Sequence, residues 1–325
     1  MKIKQLLKTA IIGSLITCFA GAGTVYYGNA AFRDALPPGN ASIAGNISII
    51  DPAPGGYLVN PANQISENSK ILFTYQDIFS GMGVCRAIHY SLAGQKLNYT
   101  IGLIQRIIPD IPNTSNAISF WDSEGPHLDY SKITSFDDKT FGLFISGKLP
   151  ISSSLSVGLN LKPVFHKISN HSAWGAGLDA GMVYRKNDNF GFGLSIINIF
   201  PFMKKWNTGS FEIFSPELRG NTSYKYDKIQ IHCGLGTILN KWSVVKRNYN
   251  YMFGAQFQAL QNFTLKMGTS KNSQFSAGFD LVINNYHVEY ACLTSDSFNG
   301  KLIRHSISIW VEIVSLLNDM EVLNP

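Results

Sequence analysis

Lys162 and Asp179 are the ionisable residues whose placement most needs explaining. Each stands on the polar side of a segment in which apolar and small polar residues alternate, and a charge held on a crowded face needs a partner. Three arrangements are open: the two join each other, they reach the chain around Asn60, or they face water. Asn198 occupies the equivalent face of the next such segment. Further chemistry is hard to assemble. The histidines, among them His166, His171 and His287, show no His-Glu-x-x-His or metal-ligand spacing, and His166 and His171 read as exposed groups flanking a surface loop. Gly175-Ala-Gly177 and Gly191-Phe-Gly193 precede no helix, so they do not form phosphate loops. Beyond the N-terminal leader no Gly-x-Ser-x-Gly elbow occurs. Asp122-Ser-Glu124 and Asp137-Asp138 fall in or beside a long loop, where solvated charge is the ordinary reading. The residues therefore point to no enzyme, no metal and no cofactor.

The elements that must position Lys162, Asp179 and Asn198 repeat with a period of two. Leu155, Val157, Leu159 and Leu161 alternate with Ser156, Gly158, Asn160 and Lys162. Ala176, Leu178, Ala180 and Met182 oppose Gly175, Gly177, Asp179 and Gly181, and Ile307 and Ile309 oppose Ser306 and Ser308. A helix would repeat near 3.6 residues, so these are strands. They run about 9 to 12 residues, the length of a tilted bilayer crossing. Aromatic residues such as Trp174, Tyr184, Phe190 and Trp310 fall near their ends, as in the girdles of a membrane barrel.

About fourteen strands can be drawn, the first near 71, the fourth near 139 and the last near 302. Short links follow the even strands, as at Ala93–Lys96 and Lys186–Asp188. The long links Ile108–Asp138, Phe200–Pro216, Leu239–Tyr249 and Thr294–Lys301 follow odd ones. This asymmetry predicts a transmembrane antiparallel β-barrel with short turns in the periplasm. Composition agrees: charged residues make up 15% of the chain, against about 25% in a typical soluble domain.

Lys2, Lys4 and Lys8 precede an apolar stretch ending in Ala20-Gly21-Ala22, which reads as a signal peptide over 1–22. A rival reading makes Cys18 a lipidated N-terminus. Removing the three lysines takes the formal charge from +6 to 6 − 3 = +3, so no nucleic-acid partner is inferred. Cys85, Cys233 and Cys292 remain, an odd number in strand-like segments, and read as small apolar fillers. Residues 23–70 carry Pro37-Pro38-Gly39, Asp51-Pro52-Ala53-Pro54 and Asn60-Pro61-Ala62, which exclude long strands. They form either a flexible leader or a plug within the barrel. The interspersed Ile43, Ile47, Ile49, Ile50 and Leu58 favour the plug. The barrel itself is expected over 71–313 and a tail over 314–325.

Several stretches resemble the PorV/PorQ family within the FadL-like outer-membrane proteins. They are Ala41-Ser-Ile-Ala-Gly-Asn46, Asn60-Pro61-Ala62-Asn63, Gly158-Leu-Asn-Leu-Lys162, Gly175-Ala-Gly-Leu-Asp179-Ala-Gly181 and Gly191-Phe-Gly-Leu-Ser-Ile-Ile-Asn198. The resemblance departs in a degraded glycine-rich opening and in the residues that follow the last strand. It implies a FadL-like barrel with an N-terminal plug in the bacterial outer membrane, among outer-membrane lipid. It further implies one of two roles. The first is an outer-membrane partner of type IX secretion, whose long loops dock secreted clients or translocon subunits. The second is a channel for hydrophobic small molecules, which would make a hydrophobic ligand the partner.

Overall fold

The computed structural model describes residues 30–64, 68–94, 96–122, 125–239, 249–271, 275–297 and 300–313. The signal-peptide segment 1–22, Cys18 and the tail 314–325 lie outside them.

Seventeen strands form among these residues. Three are short: β4 (Ile118–Asp122), β5 (Gly125–Leu128) and β10 (Phe211–Phe214). The other fourteen close into one antiparallel barrel. In chain order they are β1 (Lys70–Ile78), β2 (Gly83–Leu92), β3 (Asn98–Asn113), β6 (Thr134–Pro150), β7 (Leu155–Ile168), β8 (His171–Asn187) and β9 (Phe190–Trp206). The second half is β11 (Glu217–Tyr226), β12 (Ile229–Ile238), β13 (Tyr249–Leu260), β14 (Phe263–Ser270), β15 (Phe275–Ile283), β16 (Tyr286–Ser297) and β17 (Gly300–Glu312). Neighbours pair in sequence order, and β1 pairs with β17 in the register Tyr75↔Ile307, so the barrel has no seam.

The alternation in sequence becomes an inverted distribution of polarity. Asn160, Asp179 and His232 are fully buried. Phe73, Leu103 and Trp174 are 52%, 59% and 69% exposed. Such an arrangement would be unstable in water, where exposed apolar surface is costly. It is the stable one when hydrocarbon surrounds the wall.

Inside the wall runs the chain from Ala30 to Gln64, with short helical turns at Ala30–Asp34, Pro38–Ala41 and Gly56–Leu58. Ile43, Ile47, Ile49, Val59 and Ala62 are buried, as are Asn40, Ser42, Asn46 and Asn60. Strands on every side bind its backbone. The Ser276 hydroxyl donates to the Ser42 carbonyl (2.8 Å) and accepts from the Ala44 N–H (3.1 Å). Ser223 does the same for Ile47 and Ile49, both at 3.1 Å. Each serine thus replaces a ladder partner for a segment that has none of its own. Glycines give it room: a Cβ on Gly254 would come within 2.7 Å of the Ile43 side chain, and one on Gly158 would overlap the Pro61 carbonyl.

Several expectations are corrected. The fourth barrel strand begins at Thr134, not near 139, because β3 and β6 stay paired as far as Asn113↔Thr134. What remains of the expected Ile108–Asp138 loop holds the β4–β5 hairpin. Likewise β9 continues to Trp206 and is capped by β10, so the expected loop from Phe200 shrinks. Of the Leu239–Tyr249 and Thr294–Lys301 links, residues 240–248 and 298–299 lie outside the described residues, and strand pairing takes in Thr294–Ser297. Trp310 is buried and faces inward, stacked on His287 at 3.5 Å, instead of joining a girdle.

Gly158→Leu is expected to lower barrel stability by about 1–3 kcal/mol through overpacking against Pro61. Leu159→Ile, on the outer face, leaves it within about 0.5 kcal/mol. The temperature at which the fast-migrating folded band disappears on an electrophoresis gel measures both.

Candidate functional site

Lys162 on β7 and Asp179 on β8 are buried and 2.6 Å apart. The Lys162 ammonium also donates to Asn198 Oδ1 at 3.0 Å. All three residues surround an interruption in the wall. Two of the three register slips between β8 and β9 fall here, between Ala176↔Met203, Leu178↔Phe200 and Ala180↔Ile196. On the other side of β9, β10 pairs with its upper part and β11 only from Ile197 downward. Asn198 sits in this bulge with φ of 57°, a conformation that asparagine tolerates better than most residues. Its N–H donates to Asp179 Oδ1 at 2.8 Å. Asp179 therefore supplies the acceptor that the broken ladder withholds, and Lys162 balances its charge.

Asn60-Pro61-Ala62 lies across the same wall. Asn60 Oδ1 accepts the Ala62 N–H (3.0 Å), which closes a local turn. Its Nδ2 donates to the carbonyls of Met182 on β8 (3.0 Å) and Leu194 on β9 (3.2 Å). Nearby, Asn160 and Ser195 donate to the carbonyls of Tyr57 and Val59. Burial pushes the Tyr57 hydroxyl well above its usual range, so this part of the segment stays uncharged.

Two cavities lie toward the end of the barrel that carries the β4–β5 hairpin. The larger, of about 560 Å³, is bounded by Ala31, Ile78, Phe79, Ile168, Trp206 and Leu302 together with a set of charged groups. Arg106 bonds Asp34 (2.9 Å) and Asp138 (3.3 Å), and Arg304 bonds Asp34 (3.2 Å). His166 bonds Asp138 (2.7 Å), and Lys204 bonds Glu212 (2.9 Å) and His166 (3.0 Å). These groups pair with one another along the wall, Arg33 adds a further cation from the interior segment, and the remaining apolar lining is continuous with the cluster of Ala31, Phe32, Tyr57, Ile104, Phe144 and Val164. A smaller cavity of about 170 Å³ follows, bounded by Leu36, Leu58, Ile197, Met252 and Leu293 and by Lys162. At the short-turn end a third, of about 670 Å³, is polar, with Asp51, Arg185, Lys225, Lys266 and Glu289 around it. The interior segment separates the first two from the third.

Sequence reasoning placed His166 and Asp138 at a solvated loop; both face inward and bond each other, because β6 and β7 extend further than expected. It also missed Glu289. This carboxylate accepts the Gly39 N–H (3.1 Å) and the Ser308 hydroxyl (3.0 Å), with Lys266 at 3.6 Å. The parity of Glu289 with Ala291 and Leu293 on β16 was the available signal.

No family model matches the chain, and no curated protein matches it in sequence. Solved structures do match. The toluene transporter TodX of P. putida superposes with a TM-score of 0.64 at 9% identity, covering 86% of this chain and 99% of that one. For the Ralstonia pickettii toluene transporter TbuX the values are 0.61, 11%, 86% and 98%. For a Pseudomonas aeruginosa FadL homologue they are 0.57, 10%, 90% and 100%. At such identities the likeness establishes the fold alone: a FadL-like β-barrel of fourteen strands. It also overturns the expected secretion role. TodX and TbuX are toluene transporters, CymD is a monoaromatic hydrocarbon channel, and much of the loop length assigned to client docking belongs to β3, β6 and β9.

Lys162→Met and Asp179→Leu are each expected to cost about 3–5 kcal/mol, and the double variant much less than their sum. The exchange Lys162→Asp with Asp179→Lys does not restore stability, because lysine cannot accept the Asn198 N–H. Denaturant unfolding of the reconstituted barrel measures the four variants, and additive losses would refute the coupling.

Proposed function

We propose that this protein is a bacterial outer-membrane channel through which hydrophobic small molecules pass. The observation that carries the reading is the 560 Å³ cavity, with its apolar lining and largely paired charges, within the usual size range of small-molecule sites. Ion pairs that satisfy one another leave little to hold a strongly polar solute, whereas Ala31, Ile78 and Trp206 offer apolar contact. In this reading the hairpin end faces outward and the short turns face the periplasm. The segment 30–64 is the plug, and Asn60-Pro61-Ala62 anchors it to β8 and β9 beside Lys162, Asp179 and Asn198. A solute leaving the upper cavities toward the polar one at the other end requires the plug to shift. The serine, asparagine and Glu289 contacts to its backbone are hydrogen bonds that water can replace during such a movement.

Cells carrying the barrel are expected to take up labelled toluene or oleate several-fold faster than cells carrying the empty vector. Ala31→Trp, which fills the cavity from the plug side, is expected to abolish most of the gain while the barrel still inserts. Uptake of both compounds at the vector rate, with the barrel folded in the outer membrane, would refute the proposal.

A further inference from the structure

The outer wall carries a charge that transport does not use. Arg86 is on β2, opposite Tyr75 on β1 and Gln105 on β3, and its side chain points away from the lumen. Its guanidinium lies over the Tyr75 ring at 5.9 Å, and among the described residues it forms no ion pair. β2 begins three residues earlier, at Gly83. With a tilted strand rising about 2.5 Å per residue along the barrel axis, Arg86 lies about 8 Å below the turn. An arginine on the lipid face at that depth is costly unless its head reaches an anion.

Below and beside it lies a groove of about 650 Å³ on the same outer face. Phe73, Ile88, Leu103, Phe141, Ile307 and Ile309 form its sides, and Arg86 is the one charged residue among those lining it. An apolar trough with a single cation at its upper end is complementary to one kind of molecule. We infer that this face binds an anionic membrane lipid of the outer leaflet. An acyl chain lies in the groove, and a headgroup phosphate is held by Arg86 with the Gln105 amide beside it. Lys139 and Lys167 stand directly opposite each other on the outer faces of β6 and β7, two residues above the Phe141↔Phe165 pair. Asp137 neutralises Lys139 at 2.7 Å, and Asp77, two residues above Tyr75 on the outer face of β1, offsets Lys167, so the selectivity rests on Arg86 itself. A second copy of the chain fits less well, because a two-fold contact here would bring two Arg86 side chains together.

The test is native mass spectrometry of the intact barrel from micelles holding equal amounts of phosphatidylglycerol and phosphatidylcholine. Wild type is expected to retain phosphatidylglycerol in preference. Arg86→Gln is expected to lower that retention about fivefold, the factor one basic side chain contributes at an anionic surface, and Arg86→Lys to recover most of it. Leu103→Trp fills the groove without touching the charge and is expected to weaken retention as well. Folding of each variant is checked by gel mobility. Equal retention of the two lipids, or undiminished retention in Arg86→Gln, would overturn the inference. So would a wild-type dimer that dissociates in Arg86→Gln, which would assign the face to a contact between copies.

Discussion

A sheet that crosses a bilayer can leave no edge, because hydrocarbon offers nothing to an unpaired N–H or carbonyl. Everything else in this chain follows from meeting that condition by closure. The β1–β17 pairing removes both edges at once, and β1 is short enough that most of its nine residues take part. Closure fixes the inside and the outside of every strand. It converts a period-two sequence into a wall with Phe73 and Leu103 outside and Thr74 and Ile104 within.

Fourteen strands enclose more space than inward side chains can fill, so the lumen must hold water, a plug or both. Residues 30–64 occupy much of it. Because they form no sheet, their backbone groups depend on side chains projected by the wall: Ser223, Ser276, Asn160, Ser195 and Glu289. That dependence explains why small and hydrogen-bonding residues crowd the inner face. Gly158, Gly181, Gly254 and Gly268 let the two backbones approach, and the hydroxyls and amides then satisfy them. The same requirement accounts for much of what looked like kinship in the sequence. Runs such as Gly175-Ala-Gly-Leu-Asp179 are what any plugged barrel needs on its inner face, so they indicated the FadL-like fold correctly and the secretion role wrongly.

The strands were legible because burial on one side and lipid on the other write a clean alternation. The first and last strands, expected near 71 and 302, begin at Lys70 and Gly300. What the alternation could not reveal was where a strand stops once it rises beyond the membrane. Above that level β3, β6 and β9 no longer have lipid on one side, the pattern lapses, and Ile108–Asp138 reads as loop although pairing continues. His166 and Asp138 were misplaced for the same reason. Lys162 and Asp179 stood out, since two charges within regular alternation have no solvent to explain them. Glu289 carries the same signature but lies among His287, Asp280 and other polar groups, where one more charge is inconspicuous in sequence.

The position of Lys162 and Asp179 has a reason beyond charge pairing. A bulge within a membrane wall leaves at least one N–H without its ladder partner, and the cost of an unpaired group is highest in that environment. Asn198 meets half of the problem by adopting positive φ, and Asp179 meets the other half by accepting its N–H at 2.8 Å. A carboxylate used in this way must itself be neutralised, which Lys162 does at 2.6 Å while bonding the Asn198 side chain. The three residues form one repair, and none can be exchanged alone. At the bulge Ile197 and Asn198 are buried in succession, and Ile197 and Lys162 both border the small cavity. The local irregularity of the wall and one boundary of that cavity therefore meet at the same three side chains.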